Sequence, residues 1–259
     1  MRIATWNVNS LKVRLPHVLD WLATSEVDVL GLQELKLTDD KFPYAELKEL
    51  GYEAAVSGQK TYNGVALLSR LPMSDISMGM PDYTDEQKRV IAATIDNGRA
   101  HVRVVCAYFP NGQSLESDKY RYKLDWLDAM NGYMADQLKR HEQLTLVGDY
   151  NIAPEDSDVK NPAEWVGQVL VSEPERAAFK ALLAQGFSDC FHRFPQPEKT
   201  FSWWDYRMMA FRRNNGARID HILASPKLAE ACTACVIDKE PRKKEQPSDH
   251  APVVADFTV

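Results

Sequence analysis

Short apolar runs recur along the whole chain and indicate a fold rich in β-strands. Runs of this length that are enriched in β-branched side chains are typical of buried or half-buried strands. They are Ile3–Val8, Val27–Leu32, Val65–Leu68, Val90–Ile95, Val102–Tyr108, Leu144–Val147, Ile219–Ala224 and Val253–Phe257. No linker-like or low-complexity segment separates them, so we predict a single domain over residues 1–259.

Three segments between these runs have the apolar spacing of amphipathic helices. Their apolar positions are Leu15, Val18, Leu19 and Leu22; Leu124, Leu127, Met134 and Leu138; and Phe179, Leu182 and Leu183. The third begins with a capping box formed by Ser172 and Glu175, has Pro174 in its first turn and ends before Gly186. Because the strands and helices alternate without a strict βαβ rhythm, the pattern favours mixed or antiparallel sheets covered by helices.

Composition places the chain among ordinary globular proteins. Its 259 residues are 44% hydrophobic and 26% charged, which is enough to bury a sizeable core. No apolar run approaches the roughly 18 residues of a membrane helix. The N-terminal residues read as a strand and not as a signal peptide, so we expect a cytoplasmic protein with no membrane partner.

The four cysteines are too few for a disulfide framework. Cys232 and Cys235 have the spacing of half a metal site, but no second pair follows. Cys190 with His192 is a poor substitute for that second pair. Reduced thiols are therefore favoured over a zinc site.

The net charge of −6 is unusual for a nucleic-acid-binding protein, yet the basic residues are clustered. One cluster is Lys119, Arg121 and Lys123, and the other is Arg207, Arg212, Arg213 and Arg218. Each cluster could contact phosphate or be a solvated surface. Carboxylates that hold a divalent cation would also add negative charge that the cation offsets.

Polar residues stand where many of the predicted strands begin or end. They are Asn7, Asn9, Glu34, Tyr108, Asp149, Asn151, Asp220, Asp249 and His250. Singly, each is explained as a turn residue, a helix cap or a surface charge. Together they supply oxygen ligands for a hard cation, a general base and hydrogen-bond donors for a phosphate. The set therefore predicts metal-assisted phosphodiester hydrolysis.

Several motifs in this set resemble the exonuclease III family, which includes the apurinic/apyrimidinic (AP) endonucleases. The motifs are Asn7-Val8-Asn9, Leu32-Gln33-Glu34-Leu35-Lys36, Gly148-Asp149-Tyr150-Asn151, Arg218-Ile219-Asp220 and Ser248-Asp249-His250-Ala251-Pro252, together with Trp203-Trp204. The segment 58–67 is similar to a DNA-contacting loop of the family. The resemblance implies an α/β fold of the DNase I type, a four-layered sandwich in which two mixed β-sheets lie face to face between helices.

The resemblance also implies a cofactor, Mg²⁺, for which Mn²⁺ can substitute. Its oxygen ligands would come from Glu34 as the main ligand and from Asn9, Asp249, Asp149 and Asn151. Many relatives have Asp at the position of Asn9.

The same resemblance implies the catalytic roles. Asp149 would orient or deprotonate the attacking water, and Asn151 and Asn7 would position that water and the phosphate. His250, oriented and charged by Asp220, would donate a hydrogen bond to the phosphate. Tyr108 would contribute another donor.

Contacts with double-stranded DNA are implied for a second group of residues. They are Lys60, Asn111, Gln113, Trp203, Arg207, Arg212, Arg213 and Ala217. Trp203 is either a core residue or one wall of a pocket for an extruded abasic sugar. Some relatives have a bulky residue at the position of Ala217 and an Arg at that of Gln113.

The sequence thus predicts a monomeric DNA-repair phosphodiesterase that acts on abasic sites or damaged 3′ ends and leaves a 3′-hydroxyl. One alternative is a catalytically dead nucleic-acid-binding regulator. The other is a phosphatase for a lipid or an inositol phosphate. The first is disfavoured because the acidic residues and His250 are all retained. The second is disfavoured because neither a secretion signal nor an apolar surface loop is evident.

Overall fold

Twelve strands form two six-stranded sheets in the computed structural model, which describes residues 1–259. In chain order they are β1 (Arg2–Asn7), β2 (Val29–Gln33), β3 (Glu53–Ser57), β4 (Val65–Ser69), β5 (Met73–Met78), β6 (Val90–Asp96), β7 (His101–Tyr108), β8 (Leu144–Asp149), β9 (Ser188–Asp189), β10 (Asp220–Ala224), β11 (Cys232–Ile237) and β12 (Val253–Phe257). One sheet has the order β11-β12-β1-β2-β4-β3, and the other has the order β5-β6-β7-β8-β10-β9.

Both sheets are mixed, with one parallel pair near the centre of each. β1 pairs in parallel with β2 and antiparallel with β12. β8 pairs in parallel with β7 and antiparallel with β10. Parallel neighbours end at the same edge of a sheet. The residues that follow β1 and β2 are therefore neighbours, as are those that follow β7 and β8.

Six α-helices lie between the strands in the chain. They are α1 (Leu11–Ser25), α2 (Tyr44–Glu49), α3 (Asp118–Arg140), α4 (Pro162–Trp165), α5 (Glu173–Ala184) and α6 (Pro226–Glu230). No helix combines the length and the apolar character needed to cross a membrane.

Three apolar clusters define the layers of the molecule. The first cluster lies between the two sheets and contains side chains from both, including Ile3 from β1 and Val104 from β7. Trp21 of α1 packs on the outer face of the first sheet. Trp126 of α3 and Phe179 of α5 pack on the outer face of the second. The predicted four-layered sandwich is confirmed.

The helix starts follow the local sequence. The Ser172 hydroxyl accepts a hydrogen bond from the Glu175 N–H, and the Glu175 carboxylate accepts one from the Ser172 N–H. This confirms the predicted capping box and fixes the start of α5 at Glu173. Gly186, in the left-handed region with φ of 112°, follows the end of the helix. Helix α3 starts in a similar way, since the Ser117 side chain accepts from the Tyr120 N–H.

All eight predicted strands have counterparts, but β3, β5, β9 and β11 were not predicted. Strand β5 is an exposed edge strand with little apolar patterning, and β9 has only two residues. Strand β11 contains Cys232 and Cys235, which lie with Cys190 in the apolar core between the sheets. A register shift between Cys232 and Ala234 lets both cysteines face the core although they are three residues apart.

Candidate active site

The ends of the central strands bring the predicted polar residues to one edge of the two sheets. In the second sheet, Tyr108 pairs in register with Asp149, which also pairs with Asp220. Gly148 permits this close pairing, because a Cβ atom there would lie 1.9 Å from the carbonyl oxygen of Ala107. A glycine before Asp149 is therefore required by the sheet itself.

Asn7 connects the two sheets at this edge. Its Nδ2 donates hydrogen bonds to Glu34 Oε1 at 2.9 Å and to Asp149 Oδ2 at 2.8 Å. Its Oδ1 accepts the Asn9 N–H at 2.9 Å. The side chain is fully buried, so one amide fixes the separation of the two carboxylates.

Glu34, Asp149 and His250 each place one polar atom within 4.8 Å of the others. His250 Nδ1 lies 2.9 Å from Asp220 Oδ2, and its Nε2 lies 3.7 Å from Asp149 Oδ2. Burial alone would lower the pKa of His250, but the charges of Asp220, Asp149 and Asp249 outweigh it and raise the pKa to about 10. A protonated imidazole can donate a hydrogen bond from either ring nitrogen.

Asp149 is buried beside this cation. Burial raises the pKa of Asp149 to about 7, and Asp220 adds to the rise, while the charge of His250 and the hydrogen bonds from Asn7 and the Asn151 N–H oppose it. A group whose pKa is close to neutrality is suited to accept a proton from water and release it later.

Two hydrogen bonds connect Asp249 to Asn9 and Trp203. Asp249 Oδ1 accepts from Asn9 Nδ2 at 2.9 Å, and its Oδ2 accepts from Trp203 Nε1 at 2.9 Å. Burial would raise the pKa of Asp249, but the His250 charge and these hydrogen bonds lower it below its usual value. Asp249 therefore remains an anion, and Trp203 is tied to the site through its indole N–H.

Lys36 is a site residue that sequence reasoning missed, although it ends the Leu-Gln-Glu-Leu-Lys motif. Its Nζ lies 2.9 Å from Glu34 Oε2 and donates to Asn9 Oδ1 at 2.5 Å. A cationic group thus stands where these two oxygens converge. Carboxylate and amide oxygens are also the ligands that hard divalent cations prefer, so the residues fit such an ion.

Tyr108 faces the same carboxylates from the second sheet. Burial and the charges of Glu34 and Asp149 raise the pKa of Tyr108 well above its usual value, so the phenol keeps its proton and can donate. The guanidinium of Arg89, another missed residue, lies 4.8 Å from the centre of the Tyr108 ring and donates to the Tyr108 carbonyl at 3.1 Å.

The loop that follows Tyr108 also contacts the site, because Asn111 Nδ2 donates a hydrogen bond to Asn151 Oδ1 at 3.1 Å.

Six of the eight predicted DNA-contact residues are exposed. They are Lys60, Asn111, Gln113, Arg207, Arg212 and Arg213. Asn111 and Gln113 line an open cleft of about 820 Å³ that reaches Tyr108 and includes Arg89 and Lys119. Trp203 is half-buried. The exposed Met208 and Met209, which follow Arg207, carried no recognised signal in the sequence.

Ala217 is buried, which makes its predicted DNA contact wrong. Its side chain has no exposed surface and belongs to an apolar cluster that packs against Trp203. The backbone of Ala217 pairs with both Trp203 and Val159. This residue supports Trp203 and does not reach the surface.

Two members of the predicted basic clusters are also buried, so neither belongs to a surface cluster. Arg218 forms ion pairs with Asp158 at 2.6 Å and with Asp189 at 2.8 Å. Lys123 forms an ion pair with Glu175, and both side chains are fully buried. The Arg-Ile-Asp motif thus combines a structural arginine with the Asp220 that holds His250.

Comparison with known proteins agrees with this geometry. Residues 4–250 match the model of the endonuclease/exonuclease/phosphatase family. Exodeoxyribonuclease III of Haemophilus influenzae is 37% identical over 99% of this chain and 100% of its own length. The DNA repair nuclease APEX1 of Danio rerio is 30% identical over 98% of this chain and 81% of its own length.

Two solved structures share the fold over their full length and that of this chain. A Neisseria 3′ phosphatase bound to a product DNA hairpin superposes with a TM-score of 0.96 at 46% identity, covering 100% of both chains. An AP endonuclease from Archaeoglobus fulgidus gives a TM-score of 0.93 at 38% identity, again covering 100% of both chains. The chain therefore belongs to the endonuclease/exonuclease/phosphatase family and, within it, to the exodeoxyribonuclease III group of nuclease hydrolases.

Proposed function

We propose that this protein is a Mg²⁺-dependent DNA-repair phosphodiesterase that processes 3′ ends and abasic sites in duplex DNA and leaves a 3′-hydroxyl. The observation that carries the proposal is the convergence of Glu34, Asp149 and His250 within 4.8 Å at one edge of the two sheets. A base, a cationic donor and a carboxylate available to a metal are the groups that hydrolysis of a phosphate ester needs.

The roles of the protein groups follow from their positions. Asp149 accepts a proton as a water oxygen attacks phosphorus, and the bond from phosphorus to the leaving oxygen breaks. The leaving oxygen takes a proton from solvent and becomes the 3′-hydroxyl. His250 and the Tyr108 phenol donate hydrogen bonds to the phosphate oxygens as negative charge grows there. Asn7 and Asn151 keep the Asp149 carboxylate oriented through the hydrogen bonds they make to it.

Glu34 would hold the metal, and Asn9, Asp249, Asp149 and Asn151 are further oxygen donors. Mg²⁺, or Mn²⁺ in its place, supplies positive charge that makes the phosphorus a better electrophile. The Lys36 ammonium, 2.9 Å from Glu34 Oε2, must then move or share that carboxylate.

We rank 3′ termini ahead of abasic sites as the substrate. The support is the 46% identity to a structure described as a 3′ phosphatase bound to product DNA. The indole of Trp203 is half-buried against an apolar cluster that includes Leu170 and Ala217. The 38% identity to an AP endonuclease keeps abasic-site cleavage as the second activity.

We also propose a partner, a location and a domain organisation. Double-stranded DNA is the partner, contacted by Lys60, Asn111, Gln113, Trp203, Arg207, Arg212 and Arg213. We also propose a cytoplasmic monomer with one domain over residues 1–259. The shared core between the two sheets supports the single domain.

A substrate panel tests the proposal. Duplexes with a 3′-phosphate, a recessed 3′ end or an internal abasic site are compared with and without EDTA, alongside a phospholipid and an inositol phosphate. We expect EDTA-sensitive turnover of the DNA substrates, fastest for the 3′-phosphate. Turnover of the lipid or inositol phosphate alone would contradict the proposal.

A further inference from the structure

A buried lysine on α3 contacts the main chain of two loops that form the candidate site. The Lys123 side chain has no exposed surface. Its Nζ donates to the carbonyl oxygen of Asn151 at 2.7 Å and of Asn111 at 3.2 Å, and it forms an ion pair with Glu175. An ammonium group has three N–H donors, so these partners use all of them.

Glu175 extends this connection to a third loop. Its Oε1 also accepts the Leu170 N–H at 2.9 Å. Its Oε2 accepts the Ser172 N–H at 3.0 Å and the Ser172 hydroxyl at 2.5 Å. Lys123 and Glu175 thus join the loop after β7, the loop after β8 and the residues that precede α5.

The loop after β7 lies directly on the lysine stem. Gly112 has φ of 94°, and a Cβ atom there would lie 3.2 Å from Lys123 Cδ and 3.2 Å from Tyr120 Cδ2. Asn111 and Gln113, on either side of this glycine, line the cleft that reaches Tyr108. The lysine stem therefore limits how closely this loop approaches α3, and the lysine ammonium fixes the direction of the Asn111 carbonyl group.

The conformation of Asn151 directs its N–H toward Asp149 and its carbonyl toward Lys123. Its φ of 49° lies in the left-handed region, which Asn enters more readily than most non-glycine residues. Its N–H donates to Asp149 Oδ1 at 2.9 Å, and its side-chain amide donates to the Phe109 carbonyl at 3.0 Å. A change in the direction of the Asn151 carbonyl would rotate the residue and disturb the hydrogen bond to Asp149.

We propose that Lys123 is a positioning residue for phosphate hydrolysis, which fixes Asn151 against Asp149 and Asn111 against the cleft, while Glu175 neutralises its charge. This inference rests on the function proposed above. An apolar pair of similar volume often stabilises a core as well as a buried ion pair does. The contribution specific to the lysine is therefore the fixed direction of the two carbonyl groups.

The double variant Lys123→Met/Glu175→Gln tests this role, because it removes both charges and nearly keeps the volume. On a duplex with a 3′-phosphate, we expect kcat to fall about 10- to 100-fold while KM changes less than about threefold, since misplacement of a catalytic group costs turnover. The melting temperature should fall by several degrees, because two buried carbonyl groups lose their donor, but the protein should remain folded. Tyr120→Phe is the matched control, because Tyr120 lies on α3 with Lys123. This change removes the 2.6 Å hydrogen bond from Tyr120 to Ser172 and leaves both carbonyl contacts of Lys123 in place.

The outcomes separate cleanly. A folded double variant with wild-type kcat overturns the proposal, as does an equal loss of kcat in Tyr120→Phe or a change confined to KM. If the double variant does not fold, Lys123→Gln/Glu175→Gln takes its place. The Gln side chain is one atom shorter than Lys and cannot contact both carbonyl groups as the ammonium does, so wild-type kcat in that protein likewise overturns the proposal. Failure of the wild-type protein to release phosphate from DNA contradicts the proposed function instead, and it is seen without any variant.

Discussion

His250 Nδ1 lies 2.9 Å from Asp220 Oδ2, and both side chains are buried. This contact places the Nδ1–H toward Asp220 and leaves Nε2 directed at Asp149, 3.7 Å away. Asp220 is itself held by the Ser202 hydroxyl, which donates to its Oδ2 at 2.6 Å. The pair therefore fixes both the orientation and the charge of the histidine that faces Asp149 in the candidate site.

Replacing Asp220 with Asn should remove the charge that keeps His250 protonated. Without it, the pKa of His250 falls because only Asp149 and Asp249 oppose the effect of burial, and Nδ1 loses its carboxylate partner, so we expect kcat to fall about 100-fold, in the range seen when one transition-state donor is lost. Steady-state kinetics on a 3′-phosphorylated duplex measures this. Ser202→Ala is the control, because it keeps the charge, and its loss should be much smaller. A kcat within threefold of wild type in Asp220→Asn would refute the role of the pair.

His221 should make the fold sensitive to acid. Its Nε2 donates to the Ile152 carbonyl at 2.8 Å and its Nδ1 accepts from Arg218 at 2.9 Å, which fixes a neutral ring. Burial and the Arg218 charge lower the pKa of His221 from 6.5 to about 4. The unfolded chain takes up this proton near pH 6.5 and the folded chain only near pH 4. The stability is therefore complete above pH 6.5 and declines as the pH falls toward 4.

Urea unfolding at pH 7 and pH 4.5 measures this contribution to the free energy of unfolding. Between these pH values, wild type should lose about 2 kcal/mol more than His221→Gln, which cannot titrate in this range. Equal losses in the two proteins would show that His221 is not the group responsible.

Lys36 should compete with the divalent cation for Glu34. Because its ammonium lies 2.9 Å from Glu34 Oε2, Lys36→Gln should lower the Mg²⁺ concentration for half-maximal activity by roughly 3- to 10-fold, as removal of a like charge favours cation binding. Lys41→Gln, at an exposed site beside Asp40, is the control and should change nothing. A higher Mg²⁺ requirement in Lys36→Gln would contradict competition.

The exposed Arg212 and Arg213 should contact DNA phosphates. Replacing both with Ala should weaken duplex binding and reduce the slope of log K against log salt by up to about 2, since each phosphate contact contributes about 0.9. Titrations at several salt concentrations give this slope. Arg207→Ala is the comparison, because Arg207 is already paired with Asp205 at 2.7 Å. An unchanged slope in the double variant would show that Arg212 and Arg213 are solvated surface residues that do not contact DNA phosphates.

The apolar runs predicted eight of the strands, because those strands are buried, and they favoured mixed sheets covered by helices. The four-layered sandwich and the roles of the polar residues beside the strands came from the resemblance to the exonuclease III family. Strand β5 escaped detection because an exposed edge strand needs no apolar pattern.

Two charged residues were wrongly placed on the surface, because their burial depends on partners that are distant in the chain. Lys123 is buried against Glu175, 52 residues away, and Arg218 against Asp158, 60 residues away. Local spacing grouped both with surface arginines and lysines. Ala217 was misjudged for a related reason, since its burial is set by its pairing with Trp203 and Val159.

Phosphate release from a 3′-phosphorylated duplex by wild type and by Glu34→Gln, as a function of Mg²⁺, tests the central claim most directly. The Glu34 carboxylate accepts a hydrogen bond from Asn7 and lies beside Lys36. Replacing it with the neutral amide of Gln therefore removes the negative charge at this edge of the two sheets. The account predicts that EDTA abolishes wild-type turnover, that Mg²⁺ restores it, and that Glu34→Gln lowers kcat at least about 100-fold with an unchanged melting temperature. Turnover of Glu34→Gln near the wild-type rate, or wild-type turnover that persists in EDTA, would contradict it.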